Sequence, residues 1–120
     1  MRILIVDDSK AMRMIVRRAL RQAGYGDQAI EEQESPTAAL EGILTDPPDL
    51  VLCDWNMPAM TGIDLLTTLR SSGSTVKLGF VTSEGSEPIR REAHDAGAAF
   101  LVTKPFTADD LKSAIGKVMS

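Results

Sequence analysis

The segment from Leu50 to Pro58 reads L-V-L-C-D-W-N-M-P, and it determines how the rest of the chain is interpreted. Its first four residues, Leu50 to Cys53, are apolar, which is typical of a strand buried on both faces of a sheet. The apolar run ends at Asp54, and Asn56 and Pro58 are residues that favour turns. An acid at the end of a buried strand can be a nucleophile, a metal ligand or the first residue of a solvated loop. The other segments of the chain decide between these roles.

The composition is that of one globular domain. The chain has 120 residues, of which 43% are apolar and 25% charged, so it is long enough and apolar enough to form a hydrophobic core. Its net charge of -4 disfavours nucleic acid as the main partner. The single cysteine, Cys53, lies inside an apolar run and is predicted to be a buried structural thiol. No apolar stretch reaches the length of a membrane span or forms a signal-peptide core, so we expect a cytoplasmic protein without membrane insertion.

Short apolar runs alternate with helical patterns five times along the chain. Four of the five predicted strands have apolar cores, at residues 3–6, 50–53, 78–81 and 100–102. The fifth, at residues 28–34, has only two apolar residues and is predicted to be an edge strand. Alternation of this kind predicts a single doubly wound α/β domain, in which an open parallel sheet has helices on both faces.

Two of the helices carry more detailed expectations. The core face of the first helix is predicted to consist of Met12, Ile15, Val16, Ala19 and Ala23, and its arginines are predicted to form a solvated face. Ser86 is a candidate cap for the fourth helix. That helix is mostly polar, so we expect it to pack weakly against the sheet. His94 lies on this polar helix and is predicted to be a surface residue.

Polar residues follow four of the predicted strands. They are Asp7 and Asp8, Asp54, Thr82 and Lys104. Because the carboxyl ends of parallel strands share one edge of the sheet, these side chains are expected to lie close together. Three neighbouring carboxylates repel one another unless a cation lies among them, and oxygen ligands suit Mg²⁺. A lysine and a hydroxyl opposite such an ion can hold phosphoryl oxygens. Each residue alone is more commonly structural, but together they indicate a site for a phosphoryl group on or near a carboxylate.

Four motifs resemble those of response-regulator receiver domains. They are V-D-D at 6–8, D-W-N-M-P-x-M-x-G at 54–62, V-T-S at 81–83 and K-P-F-T at 104–107. The resemblance covers the whole chain and is greatest to the stand-alone chemotaxis members of the family. It implies a flavodoxin-like (βα)5 sheet with strand order 2-1-3-4-5. It also implies that residues 1–120 form one receiver domain without an output domain.

The resemblance implies how a phosphoryl group would be held. Asp54 would accept it from the phosphohistidine of a kinase. Thr82 would donate a hydrogen bond to the phosphoryl group, and Lys104 would pair with it. The peptide bond between Lys104 and Pro105 would be cis, which a tertiary amide permits at modest energetic cost.

The resemblance also implies a magnesium site. Asp8, Asp54 and the backbone carbonyl of Asn56 would bind Mg²⁺, with Asp7 assisting through a water molecule. Asn56 and Glu84 match positions that tune the lifetime of the aspartyl phosphate. The protein would then catalyse its own phosphorylation and dephosphorylation without being a metabolic enzyme.

One position departs from the family pattern. Relatives commonly have a tyrosine or phenylalanine three residues before the lysine, where it moves inward on phosphorylation. Here that position is Leu101, and the aromatic residue is Phe100. Because side chains alternate across a strand, Phe100 is expected on the opposite face of the sheet. The usual aromatic movement is therefore in doubt, while Thr82 and the polar fourth helix could still shift.

The main hypothesis is a phosphorylation-controlled module that acts by binding other proteins, with chemotaxis as one setting. A histidine kinase or phosphotransfer protein would dock near the first helix and the loops of the site, and a downstream protein would bind on the surface from Ser86 to Met119. One alternative is a receiver-like docking module that is never phosphorylated, and another is an aspartyl-phosphate phosphatase. A flavin-binding electron carrier is disfavoured because Asp7 and Asp8 stand where a flavin phosphate would need donors.

Overall fold

A computed structural model describes residues 1–119 of the chain, and in this range five parallel strands alternate with five helices. In order they are β1 (Arg2–Val6), α1 (Lys10–Leu20), β2 (Ala29–Gln33), α2 (Pro36–Thr45), β3 (Leu50–Cys53), α3 (Gly62–Ser71), β4 (Lys77–Thr82), α4 (Glu87–Asp95), β5 (Phe100–Thr103) and α5 (Ala108–Met119). A short π-type turn, Arg21–Tyr25, follows α1. The strand order is β2-β1-β3-β4-β5, which confirms the doubly wound fold and the order that the resemblance implied.

The strand order determines where a site can form. Val6 is in register with Cys53, and Cys53 with Phe80, so β1 and β3 end at the same level and β4 continues beyond them to Thr82. The order of the strands reverses between β1 and β3, and at such a point the loops diverge to opposite faces and leave a crevice. The residues that follow β1, β3 and β4 therefore lie around this crevice.

The core consists of two layers, one on each face of the sheet. One layer packs against α2, α3 and α4 and includes Val51, Cys53 and Phe80. The other packs against α1 and α5 and includes Ile3 and Ile5. Alternation along β1 and β3 sends successive side chains into different layers, which explains why the strand sequences are apolar without interruption. Cys53 is buried as predicted, and its burial raises the pKa of the thiol far above the usual value.

The aromatic residue of β5 faces the side that the sequence predicted. Phe100 packs with the α1 and α5 layer, whereas Leu101 packs with the α2, α3 and α4 layer. The Phe100 ring lies where a side chain at position 79 would be, because a Cβ on Gly79 would come within 2.2 Å of ring atoms. Because Gly79 has no side chain, the Phe100 ring can occupy the space beside it.

The prediction for α1 was wrong in two respects. Ile15 is 50% exposed, whereas Leu20, which the predicted face omitted, is fully buried. The contact stripe is centred on Val16, so Ile15 lies about 100° around the helix from its centre. The arginines are not all solvated either, because the Arg13 side chain is only 11% exposed.

The edge elements agree with most of the expectations. β2 is an edge strand, and within α4 only Ala93 is buried. The His94 side chain is 84% exposed, as predicted for a surface residue. Ser86 precedes α4 but makes no side-chain capping bond, so its predicted capping bond is absent. Pro88, the second residue of the helix, has no N–H to donate to the Ser86 side chain.

None of the helices between residues 1 and 119 combines the length and apolar character needed to cross a membrane.

Candidate functional site

Three carboxylates meet at the carboxyl edge of the sheet. Asp7 and Asp8 follow β1, Asp54 follows β3, and each contributes an oxygen to a cluster whose members all lie within 4.8 Å of one another. Backbone groups orient two of them, because Ser9 N–H donates to Asp7 Oδ1 at 2.9 Å and Trp55 N–H donates to Asp54 Oδ1 at 2.8 Å. The Asp54 N–H itself donates to the Val6 carbonyl at 3.1 Å, which continues the pairing of β1 with β3 into the site.

Lys104 brings one positive charge to this acid cluster. Its Nζ lies 3.7 Å from Asp54 Oδ1 and 3.8 Å from Asp7 Oδ2. The residue is held at the end of β5 because its N–H donates to the Thr82 carbonyl at 2.8 Å. The bond from Lys104 to Pro105 is cis, as the resemblance implied. One ammonium among three carboxylates leaves an excess of negative charge, which a divalent cation would neutralise.

The electrostatics of the cluster are clearest at Asp7, which is only 4% exposed. Burial raises the pKa of Asp7 above its ordinary value of 3.8. The charges of Asp54 and Asp8 raise it further, while the Ser9 N–H and the Lys104 ammonium lower it. The net effect is a raised pKa, so without a cation the folded protein disfavours the ionised form of Asp7.

The donor set fits a hard cation. Carboxylate oxygens and a nearby backbone carbonyl are the ligands that Mg²⁺ and Ca²⁺ use in proteins, and the cluster contains no thiolate or imidazole. Asn56 lies two residues after Asp54 and is exposed. Its side-chain amide donates to Glu84 Oε1 at 3.5 Å, so the two residues predicted to tune the chemistry are in contact with each other.

Thr82 ends β4, next to β3 in the sheet, and is completely buried. Its hydroxyl accepts a hydrogen bond from the Glu84 N–H at 3.2 Å, so its own proton remains for another acceptor. The structure thus brings the predicted residues Asp7, Asp8, Asp54, Thr82 and Lys104 to one edge of the sheet.

Leu101 is not part of this group. Its side chain packs with the α2, α3 and α4 layer, and its carbonyl accepts a hydrogen bond from Arg90 Nη1 at 3.4 Å. The same guanidinium donates through Nε to the Gly85 carbonyl at 3.1 Å. Arg90 therefore links β5 to the loop that follows Thr82.

The loop between Asp54 and α3 is held in place at several points. The Gly62 N–H donates to the Trp55 carbonyl at 2.8 Å. Trp55 packs edge-on against Phe80, with ring centroids 4.9 Å apart. Thr61 and Asp64 form a reciprocal capping box at the start of α3, which the sequence analysis missed although the T-x-x-D spacing is a recognised signal.

Arg13 was also missed as a neighbour of the site. Its Nη1 donates to the Asp7 carbonyl at 2.6 Å, and its Nε donates to Glu32 Oε1 at 3.0 Å. A helical pattern cannot indicate this arrangement, because it depends on how α1 lies against the edge strand β2. Arg13 therefore extends the site beyond the residues that the motifs contain.

Asp7→Asn is expected to stabilise the metal-free protein at neutral pH by about 1 kcal/mol, a typical size for one substitution. The pKa of Asp7 is raised on folding, so its favourable contribution is present below pH 3.8 and is lost as the pH rises through the folded-state pKa. Asparagine keeps the shape and has no charge to bury. Urea melts in a chelator between pH 4 and pH 8 measure the effect.

The matched control for that substitution is Asp27→Asn, which removes an exposed carboxylate. We expect the control to leave the pH dependence of the unfolding free energy as in the wild type, whereas Asp7→Asn reduces the loss of stability with rising pH. If the unfolding free energy depended on pH equally in all three proteins, the surroundings of Asp7 would not destabilise its ionised form.

Comparison with known proteins identifies the family. The sequence-family model named response regulator receiver domain matches residues 3–116. The chain is 42% identical to the chemotaxis protein CheY of Pseudomonas aeruginosa, over 98% of this chain and 95% of that protein. It is 38% identical to the chemotaxis protein CheY-3 of Vibrio cholerae, over 98% and 91% of the two chains. The crystal structure of Vibrio cholerae CheY4 superposes with a TM-score of 0.84 at 28% identity and covers 98% of both chains.

The match extends over nearly the whole chain, and the acid cluster lies where the strand order of the sheet reverses. The family model covers most of the chain, and two relatives share 42% and 38% identity with it over nearly its whole length, so the chain belongs to the response-regulator receiver-domain family.

Proposed function

We propose that the protein is a response regulator of a two-component phosphorelay, in which Mg²⁺-dependent phosphorylation of Asp54 controls a protein-binding surface. The arrangement around Asp54 carries the proposal. Its carboxylate belongs to one cluster with the acids of β1, and the Lys104 ammonium lies close to it, with Nζ 3.7 Å from Asp54 Oδ1 and 3.8 Å from Asp7 Oδ2. A metal ion and an ammonium can then act together on a phosphoryl group attached to this carboxylate.

Accessibility favours Asp54 as the acceptor over its buried neighbour. The Asp54 side chain is 13% exposed, whereas that of Asp7 is 6% exposed. A carboxylate oxygen of Asp54 would attack the phosphorus of a kinase or phosphotransfer phosphohistidine. The new O–P bond forms as the P–N bond breaks, and the imidazole nitrogen keeps the bonding electron pair and takes up a proton.

Mg²⁺ is the cofactor in this proposal. Asp8, Asp54 and the Asn56 backbone carbonyl would bind it, and Asp7 would assist through water. The ion would neutralise the negative charge that the donor and the cluster bring together. Lys104 would pair with the phosphoryl oxygens, and the Thr82 hydroxyl would donate a hydrogen bond to them.

The route from the site to a partner surface begins at Thr82. Its hydroxyl already accepts the Glu84 N–H, so a movement of Thr82 toward a phosphoryl group would pull on the loop before α4. That helix buries only Ala93, so few apolar contacts oppose its displacement. The downstream partner would therefore bind on α4, β5 and α5, within Ser86 to Met119. Asn56 and Glu84 would set how quickly water reaches the phosphoryl group.

A role in chemotaxis and a cytoplasmic location are part of the same proposal. The relatives from Pseudomonas aeruginosa and Vibrio cholerae are chemotaxis proteins and match this chain over nearly its whole length. We infer a target protein of the motility apparatus rather than nucleic acid. The net charge of -4 is consistent with a protein partner.

The test of this function is the intact mass of the protein after incubation with a small acyl phosphate. With Mg²⁺ we expect a gain of one phosphoryl group, which hydroxylamine removes because it cleaves acyl phosphates. A chelator should prevent the gain. If Mg²⁺ binds and no mass is gained, the protein is a receiver fold that serves as a docking module, and the proposal fails.

A further inference from the structure

Arg13 forms a bridge between the acid cluster and the edge of the sheet. Its side chain is only 11% exposed although it belongs to a surface helix. Nη1 donates to the Asp7 carbonyl at 2.6 Å and Nε donates to Glu32 Oε1 at 3.0 Å. One guanidinium thus connects the end of β1 to β2, which lies outside β1 at the edge of the sheet.

Glu32 holds Arg13 in this position with the help of a second arginine. Arg17 Nε donates to Glu32 Oε2 at 2.8 Å, and Arg17 Nη2 donates to the Ile30 carbonyl at 3.0 Å. Burial raises the pKa of Glu32, but hydrogen bonds from Arg17 and Arg13 outweigh it, so the net pKa is lowered. Glu32 is therefore a carboxylate held between two guanidinium groups, and it limits the positions that Arg13 can adopt.

The group that Arg13 contacts matters for the site. The Asp7 carbonyl belongs to the peptide unit that joins Asp7 to Asp8, so it shares a plane with the Asp8 nitrogen. Asp8 is exposed, and packing does not fix its carboxylate. Its position depends on its backbone, which Arg13 anchors from one side, and on the Asp7 N–H, which donates to the Gln33 carbonyl at 3.2 Å.

We propose that Arg13 is a positioning residue for the magnesium site, and that it holds the peptide between Asp7 and Asp8 in the conformation that directs both carboxylates into the cluster. The inference rests on the proposed function, because it requires the acid cluster to bind Mg²⁺. It assigns to α1 and β2 a part in metal affinity that lies outside the motif residues.

Charge and position predict opposite effects of removing Arg13. Loss of a positive charge near a cation site favours Mg²⁺ binding by simple electrostatics. Loss of the anchor on the Asp7 carbonyl weakens binding, because groups that orient metal ligands commonly contribute ten- to hundredfold in affinity. The sign of the change therefore separates a positioning role from a purely electrostatic one.

The matched pair of variants is Arg13→Gln and Arg17→Gln. Both remove one charge from α1 and one partner from Glu32, but only Arg13 reaches the Asp7 carbonyl. Mg²⁺ affinity is measured by titration of the fluorescence of Trp55, the single tryptophan, which directly follows Asp54. We expect the Mg²⁺ Kd of Arg13→Gln to rise about tenfold and that of Arg17→Gln to stay within about twofold of the wild type.

Thermal melts in a chelator show whether a change in Kd reflects the site or the fold. Similar losses of Tm in the two variants, with a weaker Kd only in Arg13→Gln, support the positioning role. An unchanged or tighter Kd in Arg13→Gln overturns it, as does equal weakening in both variants. If Arg13→Gln does not fold, Arg13→Lys replaces it, because an ammonium cannot bond the Asp7 carbonyl and Glu32 with the same fork. A wild type that shows no Mg²⁺ response contradicts the proposed function itself, which is a distinct result.

Discussion

Asp54→Asn is expected to abolish the Mg²⁺-dependent phosphoryl gain completely. An amide oxygen is a far poorer nucleophile than a carboxylate oxygen, and it cannot form the acyl phosphate. The substitution is otherwise mild, because an asparagine Oδ1 can still accept the Trp55 N–H that Asp54 accepts at 2.8 Å. Intact-mass measurement with a small acyl phosphate, at Mg²⁺ concentrations that saturate the wild type, gives the result directly.

The control for Asp54→Asn is Asp8→Asn, which changes another carboxylate of the same cluster. We expect Asp8→Asn to retain the phosphoryl gain but to require more Mg²⁺, since the proposal makes Asp8 a metal ligand and not the acceptor. If Asp54→Asn still gained a hydroxylamine-sensitive phosphoryl group and Asp8→Asn did not, Asp8 would be the nucleophile. In that case the contact of Lys104 with Asp54 would have a structural purpose only.

The location of the site could be predicted because topology places it there. In a parallel sheet every strand delivers its last residue to the same edge, so polar residues after apolar runs converge without knowledge of any contact. Asp7, Asp54, Thr82 and Lys104 each follow such a run, and the structure has them at that edge. The opposite orientation of Phe100 and Leu101 was predictable for a similar reason, since it follows from the period of a strand.

Features that depend on how one element lies on another could not be predicted in this way. The helical period of α1 indicates an apolar stripe but does not fix which edge of that stripe faces the sheet. The structure buries Leu20 at one edge and leaves Ile15 at the other edge exposed. The bridge from Arg13 to Glu32 joins side chains 19 residues apart, and it exists only because α1 lies over the edge of β2. Long polar side chains of this kind are read as solvated from sequence, yet here one of them is nearly buried.

Gly62→Ala is expected to destabilise the protein by about 3 kcal/mol, at the upper end of the usual effect of overpacking a core. A Cβ at this position would lie 2.2 Å from the Asp54 carbonyl oxygen and 2.7 Å from Phe80 Cε1. Phe80 is fully buried, and the Asp54 backbone is held by its hydrogen bond to Val6, so neither neighbour can withdraw easily. For a domain with a typical stability of about 5–15 kcal/mol, the loss is large.

Gly42→Ala and Gly116→Ala are the controls, because a Cβ at either helical glycine meets no atom within 4 Å. Alanine should stabilise those helices by up to about 1 kcal/mol each, so urea melts should show changes of opposite sign. Gly62→Ala should also reduce phosphorylation in the protein that remains folded, because the new methyl group pushes on the backbone of Asp54 and hence shifts its carboxylate relative to Lys104. Wild-type stability in Gly62→Ala would mean that the loop from Asp54 to Gly62 yields readily. The glycine that closes the D-W-N-M-P-x-M-x-G motif would then need an explanation other than the space beside the proposed phosphoacceptor.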